Sequence, residues 1–257
     1  MTAPSTLFLH LDDNQQVLNT YRPFTEPHVL RELQKFYRVD STYSSNALEG
    51  CTYTLSETKI LLEDGLTAGG KPMREAYAVL GHAKAFDHMF TLMHNKVLTE
   101  EDMLTMHGLL AGGLENDATA GKYRDVPVFI TGSKYETAPV DTIPARMTAL
   151  CAFIQKQATC MHPVLLAAQV HKDLAFIHPF ADGNGRLARL AMNTLLIQRG
   201  FLPVIIPPVL RAEYIASLEQ AHEDDAPFVC FIARCALESQ KDMLRLLRGN
   251  GFATADT

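Results

Sequence analysis

The chain has 257 residues, a length that allows one large domain or two small ones, with a core that needs no disulfide or metal. Hydrophobic residues make up 47% and charged residues 20%, a balance that excludes a mostly disordered protein. The 23 basic and 29 acidic residues give a net charge of −6, so binding nucleic acid would need a local basic patch. The sequence contains none, and we expect no nucleic-acid partner.

Membrane and secretion signals are also missing from the sequence. No apolar run approaches the roughly 18 residues that span a bilayer, and the first residues lack the basic region of a secretory signal. The five cysteines are odd in number and lack C-x-x-C spacing, which favours reduced thiols over a disulfide framework or a cysteine zinc site. We therefore expect a cytoplasmic protein that does not bind membranes.

Hydrophobic periodicity predicts helices along most of the chain. We expect the first forty or so residues to form a helical cap and the last eight to be frayed. One segment, Arg186–Arg199, is apolar nearly all round, which is typical of a helix at the centre of a bundle. In chain order the predicted helices are Pro27–Val39, Ser56–Asp64, Arg74–Met93, Thr99–Leu110, Ile143–Lys156, Pro163–Phe176, Arg186–Arg199, Arg211–His222 and Pro227–Leu247.

One stretch differs from this helical background. Asp125–Pro139 contains a β-rich run, a Gly-Ser-Lys turn and a second extended segment, which predicts an isolated β-hairpin. The fold class predicted is therefore mostly α, a helical bundle with a small β-hairpin. We expect a helical N-terminal region over residues 1–70 and a core over residues 71–257, together forming one compact unit.

The chemistry is concentrated in HPFADGNGRLAR, which occupies positions 178–189. Gly183–Gly185 lie just before a strong helical pattern, so their backbone N–H groups and the helix N-terminus can bind phosphate. Arg186 and Arg189 share one helix face and can reach the same anion. Asp182 offers a hard oxygen ligand for Mg²⁺, and His178 could accept a proton near neutral pH. Together these residues indicate chemistry at a phosphate.

Other phosphate and metal motifs fit less well. The sequence has no P-loop pattern. Gly183–Ala188 matches the loose dinucleotide form G-x-G-x-x-A, but a poor strand precedes it and no suitable acidic residue follows. A zinc site formed by His171, His178 and Asp182 is an alternative, but its spacing matches no established zinc signature.

The same residues resemble the Fic motif, H-P-F-x-[DE]-G-N-G-R-x-x-R, with every fixed position present. The similarity extends from about Leu80 to Leu237, and Tyr123-Arg124 with the hairpin resemble the target-docking flap of that family. The resemblance implies a helical bundle that transfers AMP from ATP to a hydroxyl of a protein and releases pyrophosphate. It also implies ATP as co-substrate and Mg²⁺ as cofactor.

Carried over by position, the resemblance implies a role for each motif residue. His178 deprotonates the target hydroxyl, Asp182 holds Mg²⁺ and Phe180 anchors the loop in the core. Arg189 holds the γ-phosphate. The expected phosphate-binding residues are Gly183, Asn184, Gly185 and Arg186. The expected flap, which would pair with an extended segment of the target, consists of Val128, Phe129, Ile130, Thr131 and Gly132.

A second match concerns regulation. The sequence SNALEG, from Ser45 through Glu49 to Gly50, resembles the inhibitory motif of the family, [ST]-x-x-x-E-[GN]. The resemblance implies that Glu49 pairs with Arg189 and blocks productive binding of the γ-phosphate. A tethered carboxylate would compete at high effective concentration for the guanidinium.

Several alternatives stay open at this point. Glu49 could instead orient a water that removes AMP from a modified protein. Related proteins transfer phosphate, UMP or phosphocholine with the same loop, and nothing here fixes the nucleotide. A nucleotide-sensing interaction module is the alternative of another class. The target protein is unidentified and could be another copy of the chain, and the sequence leaves room for a homodimer.

Overall fold

The computed structural model describes residues 4–21, 27–111 and 118–249. These residues form ten α-helices and two short 3₁₀ turns, with no strand. The helices are α1 (Pro4–Thr20), α2 (Pro27–Leu48), α3 (Leu55–Asp64), α4 (Met73–Thr91), α5 (Glu100–Ala111), α6 (Ile143–Gln157), α7 (Pro163–Ile177), α8 (Asn184–Gln198), α9 (Arg211–Gln220) and α10 (Ala226–Gly249). The expectation of a mostly helical protein is confirmed, and the predicted frayed tail lies outside the described residues.

Helix α8 lies at the centre of the bundle. All eleven residues from Leu187 to Ile197 are buried, polar ones included, and α8 packs on α7, α4, α5 and α2. Two sequence signals mark helix boundaries here: Pro163 begins α7, and Gly200, at a φ of 73°, follows the end of α8. A helix buried on all sides presents its N-terminus to a narrow part of the surface, which is where the candidate site lies.

The N-terminal region differs from the prediction. Helix α1 packs along α10, where the buried Gln240 amide donates to the Leu11 carbonyl at 3.1 Å. Helix α2 continues nine residues beyond the predicted end at Val39, to Leu48. Its last two turns contain buried Ser, Thr and Asn side chains, which are poor helix formers. Two of them have partners in other helices: Thr42 contacts His82 in α4, and Ser45 binds Arg189 in α8. This extension carries the Glu49 segment to the N-terminus of α8.

The predicted β-hairpin is wrong, because neither of its two strands forms. Residues 126–139 run out and back around a turn that the Ser133 amide closes onto the Ile130 carbonyl at 3.1 Å, but no ladder forms. Side chains take the carbonyls that a ladder would use: Arg124 binds those of Val126 and Ala138. Pro127 and Pro139, in addition, have no N–H to donate. The segment is thus an extended loop, which we call the flap (residues 126–139).

Candidate active site

The loop between α7 and α8 is built from two residues in the left-handed region. His178 caps α7 with a φ of 50°, and Gly183 caps α8 with a φ of 79°. Glycine suits the second position because a Cβ disfavours that conformation, whereas a bulky residue such as His178 adopts it at a cost of about 1–2 kcal/mol. His178 is the only non-glycine with positive φ among the described residues. The tight loop places the imidazole and the α8 N-terminus on one side of the bundle.

Phe180 anchors the middle of this loop. Its side chain is fully buried and stacks on the His107 ring of α5, with ring centroids 3.6 Å apart. The Asn184 side chain binds both the amide and the carbonyl of Phe180, at 2.9 and 2.8 Å. The Asn184 side chain therefore braces the loop through both its oxygen and its nitrogen.

His107 holds the Asp182 end of the loop from α5. Its Nδ1 accepts the Gly121 amide at 3.0 Å, so Nε2 carries the proton and donates to the Asp182 carbonyl at 3.0 Å. This neutral tautomer satisfies both ring nitrogens. The loop that carries the predicted phosphate-binding residues is thus fixed before any ligand arrives.

His178 is prepared to accept a proton. Its Nδ1 lies 3.2 Å from the Ala175 carbonyl, which can only accept, so Nδ1 carries the proton and Nε2 carries the lone pair. Burial lowers the pKa of the imidazole, and the positive charge of Arg124 adds to this, while the Ala175 hydrogen bond, Glu49 and Asp182 raise it. The net shift of the pKa is downward, which favours the neutral form of the ring.

Asp182 and Arg186 form an ion pair at the opening of the loop. The Arg186 Nη2 lies 3.0 Å from the Asp182 Oδ2, and the Asp182 side chain is 92% exposed whereas that of Arg186 is 11% exposed. The Arg186 Nε is buried without a partner. A guanidinium with a free donor beside an exposed carboxylate can accommodate an anion and a cation together.

The same residues bear on the predicted metal. Within the described ranges, no three His, Cys, Asp or Glu side chains are grouped as an all-protein metal site. The alternative zinc site is therefore wrong, and its His171 lies buried against Tyr214 instead, with Nε2 and the hydroxyl oxygen 3.0 Å apart. Mg²⁺ commonly binds one or two carboxylates, water and substrate phosphates, and the single carboxylate of Asp182 fits that donor set.

Arg189 is a buried guanidinium surrounded by acceptors. Its Nε donates to the Ser45 hydroxyl at 2.9 Å, and its Nη2 donates to the Ser45 carbonyl at 2.9 Å and to Glu49 Oε1 at 2.6 Å. Nη1 lies 3.3 Å from the Tyr214 hydroxyl. Burial lowers the pKa of Arg189, but the charge of Glu49 and the contacts with Glu49 and Tyr214 outweigh it, so the pKa lies above its ordinary value. The structure thus joins the two residues that the sequence pairs.

Glu49 also lies directly against the first turn of α8. A Cβ placed on Gly185 would collide with Glu49 Oε1 and would lie 3.2 Å from its Cδ. The carboxylate therefore occupies the space over the glycine backbone at the helix N-terminus, where an anion is favoured. Beside it opens a cavity of about 410 Å³, lined by Glu49, Asp182, Gly183 and Arg186 among others. That volume is in the range of small-molecule sites.

The flap residues lie beside the loop and not inside it. Phe129 is 84% exposed and Ile130 is 37% exposed, while the turn of the flap is tied to α9, where Glu219 accepts the Lys134 amide at 2.9 Å. At its base the flap meets the His178 carbonyl through Arg124. The predicted docking residues Val128–Gly132 thus form a partly exposed apolar edge near the predicted base.

Sequence reasoning assigned no role to two supporting residues, His107 and Tyr214, and considered His171 only as a zinc ligand. His107 in α5 stacks on Phe180, Tyr214 in α9 contacts Arg189, and His171 in α7 contacts Tyr214, so each supports the site through tertiary packing. A single polar residue within a helical pattern carries no signal of such a partner. Arg124 was noticed as part of Tyr123-Arg124, but its partners could not be predicted.

Comparison with known proteins identifies the family. Residues 97–196 match the Fic/DOC family. A protein adenylyltransferase Fic from Nematostella vectensis is 39% identical over 197 residues, 75% of this chain and 45% of the relative. One from Drosophila grimshawi is 36% identical over 236 residues, 91% of this chain and 48% of the relative. The chain thus spans about half the length of these curated relatives.

Solved structures agree with the sequence relatives. Fic-1 from C. elegans superposes with a TM-score of 0.86 at 27% identity, covering 96% of this chain and 74% of that one. A Fic domain containing signaling protein from Bacteroides thetaiotaomicron gives 0.85 at 26% identity, covering 93% and 98%. No helix in the described ranges is long and apolar enough to cross a membrane. The chain belongs to the Fic/DOC family.

Proposed function

We propose that the chain is a protein adenylyltransferase that transfers AMP from ATP to a Ser, Thr or Tyr hydroxyl of a protein and releases pyrophosphate. The observation that carries the proposal is the loop of residues 178–183, which joins an imidazole with a free Nε2 to a glycine-lined helix N-terminus. The relatives described above are named protein adenylyltransferases, which supports the same reaction. The acceptor is an unidentified protein, which includes another copy of this chain.

The proposed reaction needs one proton acceptor and a well-placed phosphate. His178 Nε2 takes the proton of the target hydroxyl, whose oxygen then bonds to the α-phosphorus. The bond from the α-phosphorus to the bridging oxygen breaks, and pyrophosphate leaves with the electron pair. The backbone N–H groups of residues 183–185 and the guanidinium of Arg186 stabilise the charge on the transferring phosphate, and the Gly183 N–H first leaves the Asp182 carboxylate, to which it donates at 2.7 Å. Arg189 receives the γ-phosphate.

Asp182 is the residue that we propose holds Mg²⁺. When bound there, the ion would neutralise charge on the phosphates of ATP. The Arg186 side chain, now paired with Asp182, would then turn its donors to phosphate. Asp182 can bind the ion without a change in the core, because its side chain is almost entirely exposed.

We further propose that Glu49 holds the enzyme in a low-activity state. Its carboxylate binds the arginine that the γ-phosphate would use, and it fills the space over Gly185. Both effects favour the empty site over one with ATP in a productive pose. In this proposal residues 1–70 carry the inhibitory segment and residues 71–257 the catalytic core.

The flap is proposed as the docking site for the target. Its backbone forms no ladder, and its exposed apolar side chains, Phe129 above all, offer an edge for an extended peptide. Strand addition gives affinity through main-chain hydrogen bonds with little demand on sequence. The modified hydroxyl would then approach the loop from the flap side.

A second candidate function is removal of AMP from a modified protein. The observation that favours it is the Glu49 side chain, which is 45% exposed although its Oε1 is bound to Arg189. A carboxylate with one accessible oxygen can orient a water. In this alternative Glu49 is needed for the reaction, whereas in the first proposal it inhibits.

One experiment separates these functions. Purified wild type, Glu49→Gly and Glu49→Gly/His178→Ala are incubated with Mg²⁺ and ATP labelled at the α- or the γ-phosphate, and protein-bound label is measured together with intact mass. We expect α-label on the Glu49→Gly protein, little on wild type and none on the double variant. Protein-bound γ-label would indicate phosphate transfer instead.

The reverse reaction needs its own substrate. Protein from the Glu49→Gly reaction, stripped of ATP, is offered to wild type and to Glu49→Gln. Release of AMP by wild type alone would favour the hydrolase. If the Glu49→Gly protein binds ATP but forms neither pyrophosphate nor labelled protein, the transferase proposal fails.

A further inference from the structure

Arg124 connects the predicted catalytic base to the flap. Its guanidinium is buried, with the residue 4% exposed, and its Nε donates to the His178 carbonyl at 2.8 Å. Nη1 donates to the Val126 carbonyl at 3.0 Å, and Nη2 donates to the Ala138 carbonyl and, more weakly, to the Thr137 hydroxyl. One side chain thus holds both ends of the flap and the residue that carries the imidazole.

The backbone of the same residue adds a further bond. The Arg124 amide donates to the Pro179 carbonyl at 2.9 Å. Residue 124 therefore satisfies two successive carbonyls of the loop, at the point where His178 adopts its left-handed conformation. A conformation of this kind persists only when surrounding contacts over-determine it. Arg124 supplies two of those contacts, beside the bonds of the His178 amide and ring to the Leu174 and Ala175 carbonyls.

The phosphate end of the loop has separate supports. Asn184 holds Phe180, and His107 holds the Asp182 carbonyl and stacks on Phe180. None of these side-chain bonds involves Arg124. The loop therefore has two independent attachments, one at His178 and one at the phosphate-binding residues.

We propose that Arg124 is a positioning residue that fixes the His178 imidazole relative to the flap, so that a docked hydroxyl meets Nε2. The proposal rests on the proposed transfer of AMP. We expect Arg124 to affect the rate of the chemical step and not the affinity for ATP, because the phosphate end of the loop has its own attachments. Lysine cannot take its place, since a single ammonium cannot span the acceptors that the planar guanidinium reaches.

The test uses Arg124→Lys and Arg124→Met in the Glu49→Gly background. Lys122→Met is the matched control, because Lys122 lies two residues away and the change also removes a cation, but from an exposed side chain. We expect both Arg124 variants to lower kcat by about 10–100-fold, the range of a misplaced general base. The dissociation constant of ATP should change less than about threefold, and the control should keep both values.

A second readout does not depend on activity. In NMR spectra of the histidine-labelled protein, the imidazole signals of His178 are assigned by His178→Ala and those of His107 by His107→Gln. Arg124→Lys, the milder variant, should move the His178 signals and leave those of His107 in place.

The positioning proposal is overturned if His178 signals do not move, or if ATP affinity falls in parallel with kcat. If the Glu49→Gly parent transfers nothing, the proposed function fails, and the NMR result still decides the role of Arg124.

Discussion

Glu49 Oε1 lies 2.6 Å from Arg189 Nη2, and the same guanidinium makes two further bonds to Ser45. Three of the four hydrogen bonds described for Arg189 therefore come from the end of α2 and its first following residue, and one comes from Tyr214 in α9. The end of α2 does more than place one carboxylate: it encloses the arginine. Release of Arg189 for a phosphate thus requires α2 to move or Glu49 and Ser45 to be displaced.

Removing parts of this contact should raise AMP transfer in a graded way. Ser45→Ala deletes the hydroxyl bond but leaves the carbonyl bond, and a single neutral bond contributes about 0.5–1.5 kcal/mol. We expect transfer to rise by about 2–10-fold in Ser45→Ala, and more in Glu49→Gly, which removes the charged partner. Initial rates of α-label incorporation measure both. A Ser45→Ala rate above that of Glu49→Gly would contradict this ranking.

The end of α2 is held from the far side by Arg211, whose Nε donates to the Leu48 carbonyl at 2.8 Å. A cation at a helix C-terminus is stabilising, by about 0.3–1 kcal/mol at exposed sites. Arg211→Met should loosen the inhibitory segment and raise transfer by about 2–5-fold, a factor that corresponds to this energy.

The control for Arg211→Met is the same substitution in a protein that lacks Glu49. In the Glu49→Gly background, Arg211→Met should have no further effect, because no inhibitory carboxylate is left to release. Arg199→Met removes an exposed arginine at the end of α8 and should leave the rate of AMP transfer unchanged, both in wild type and in the Glu49→Gly background. An equal rise in both backgrounds would mean that Arg211 acts on the core and not on α2.

The sequence predicted those parts of the molecule that are contiguous in the chain. The motif at 178–189, the buried α8 and the start of the helix predicted from Thr99, where the Thr99 hydroxyl accepts the Asp102 amide at 3.1 Å, all lie within a few residues of their signals. The last turns of α2 could not be predicted in the same way. Local propensity disfavours a helix through Ser44 and Ser45, and contacts from residues distant in sequence stabilise it there, among them Arg189 on Ser45 and Arg211 on Leu48.

The predicted β-hairpin of the flap does not form, for a related reason. Its β-branched run has the composition of a strand, but a ladder needs the carbonyls of Val126 and Ala138, which Arg124 takes. One buried arginine, together with Pro127 and Pro139, therefore opposes strand pairing at both ends of the flap. A pattern of single residues cannot reveal that choice, because it depends on where the guanidinium lies.

Tyr214 is expected to hold Arg189 once Glu49 no longer does. Its hydroxyl lies 3.3 Å from Arg189 Nη1 and 3.0 Å from Nε2 of the buried His171. In the Glu49→Gly background, Tyr214→Phe should raise KM for ATP by about 2–10-fold, the effect of one lost hydrogen bond, with a smaller change in kcat. Steady-state kinetics with varied ATP check this. A fall in kcat at constant KM would place Tyr214 in the chemical step instead.

Two fully buried histidines should make the fold sensitive to acid. Burial lowers the pKa of His82 and of His171 from 6.5 to about 3, and the charge of Arg189 contributes to both shifts. In the unfolded chain these rings take up protons below pH 6.5, whereas in the folded protein they stay neutral until about pH 3. The free energy of unfolding therefore falls as the pH drops through this window, by about 2 kcal/mol for each histidine between pH 7 and 5.

Variants that cannot titrate test this directly. His82→Asn keeps a polar atom where Nδ1 meets the Thr42 hydroxyl at 3.0 Å, and His171→Gln keeps one where Nε2 meets Tyr214. Urea unfolding at pH 7 and pH 5 should give a difference in free energy that is smaller by about 2 kcal/mol in each variant than in wild type. The control His94→Asn removes an exposed imidazole and should keep the wild-type difference. An unchanged difference in His82→Asn and His171→Gln would show that these rings are protonated in the folded protein as readily as in the unfolded chain.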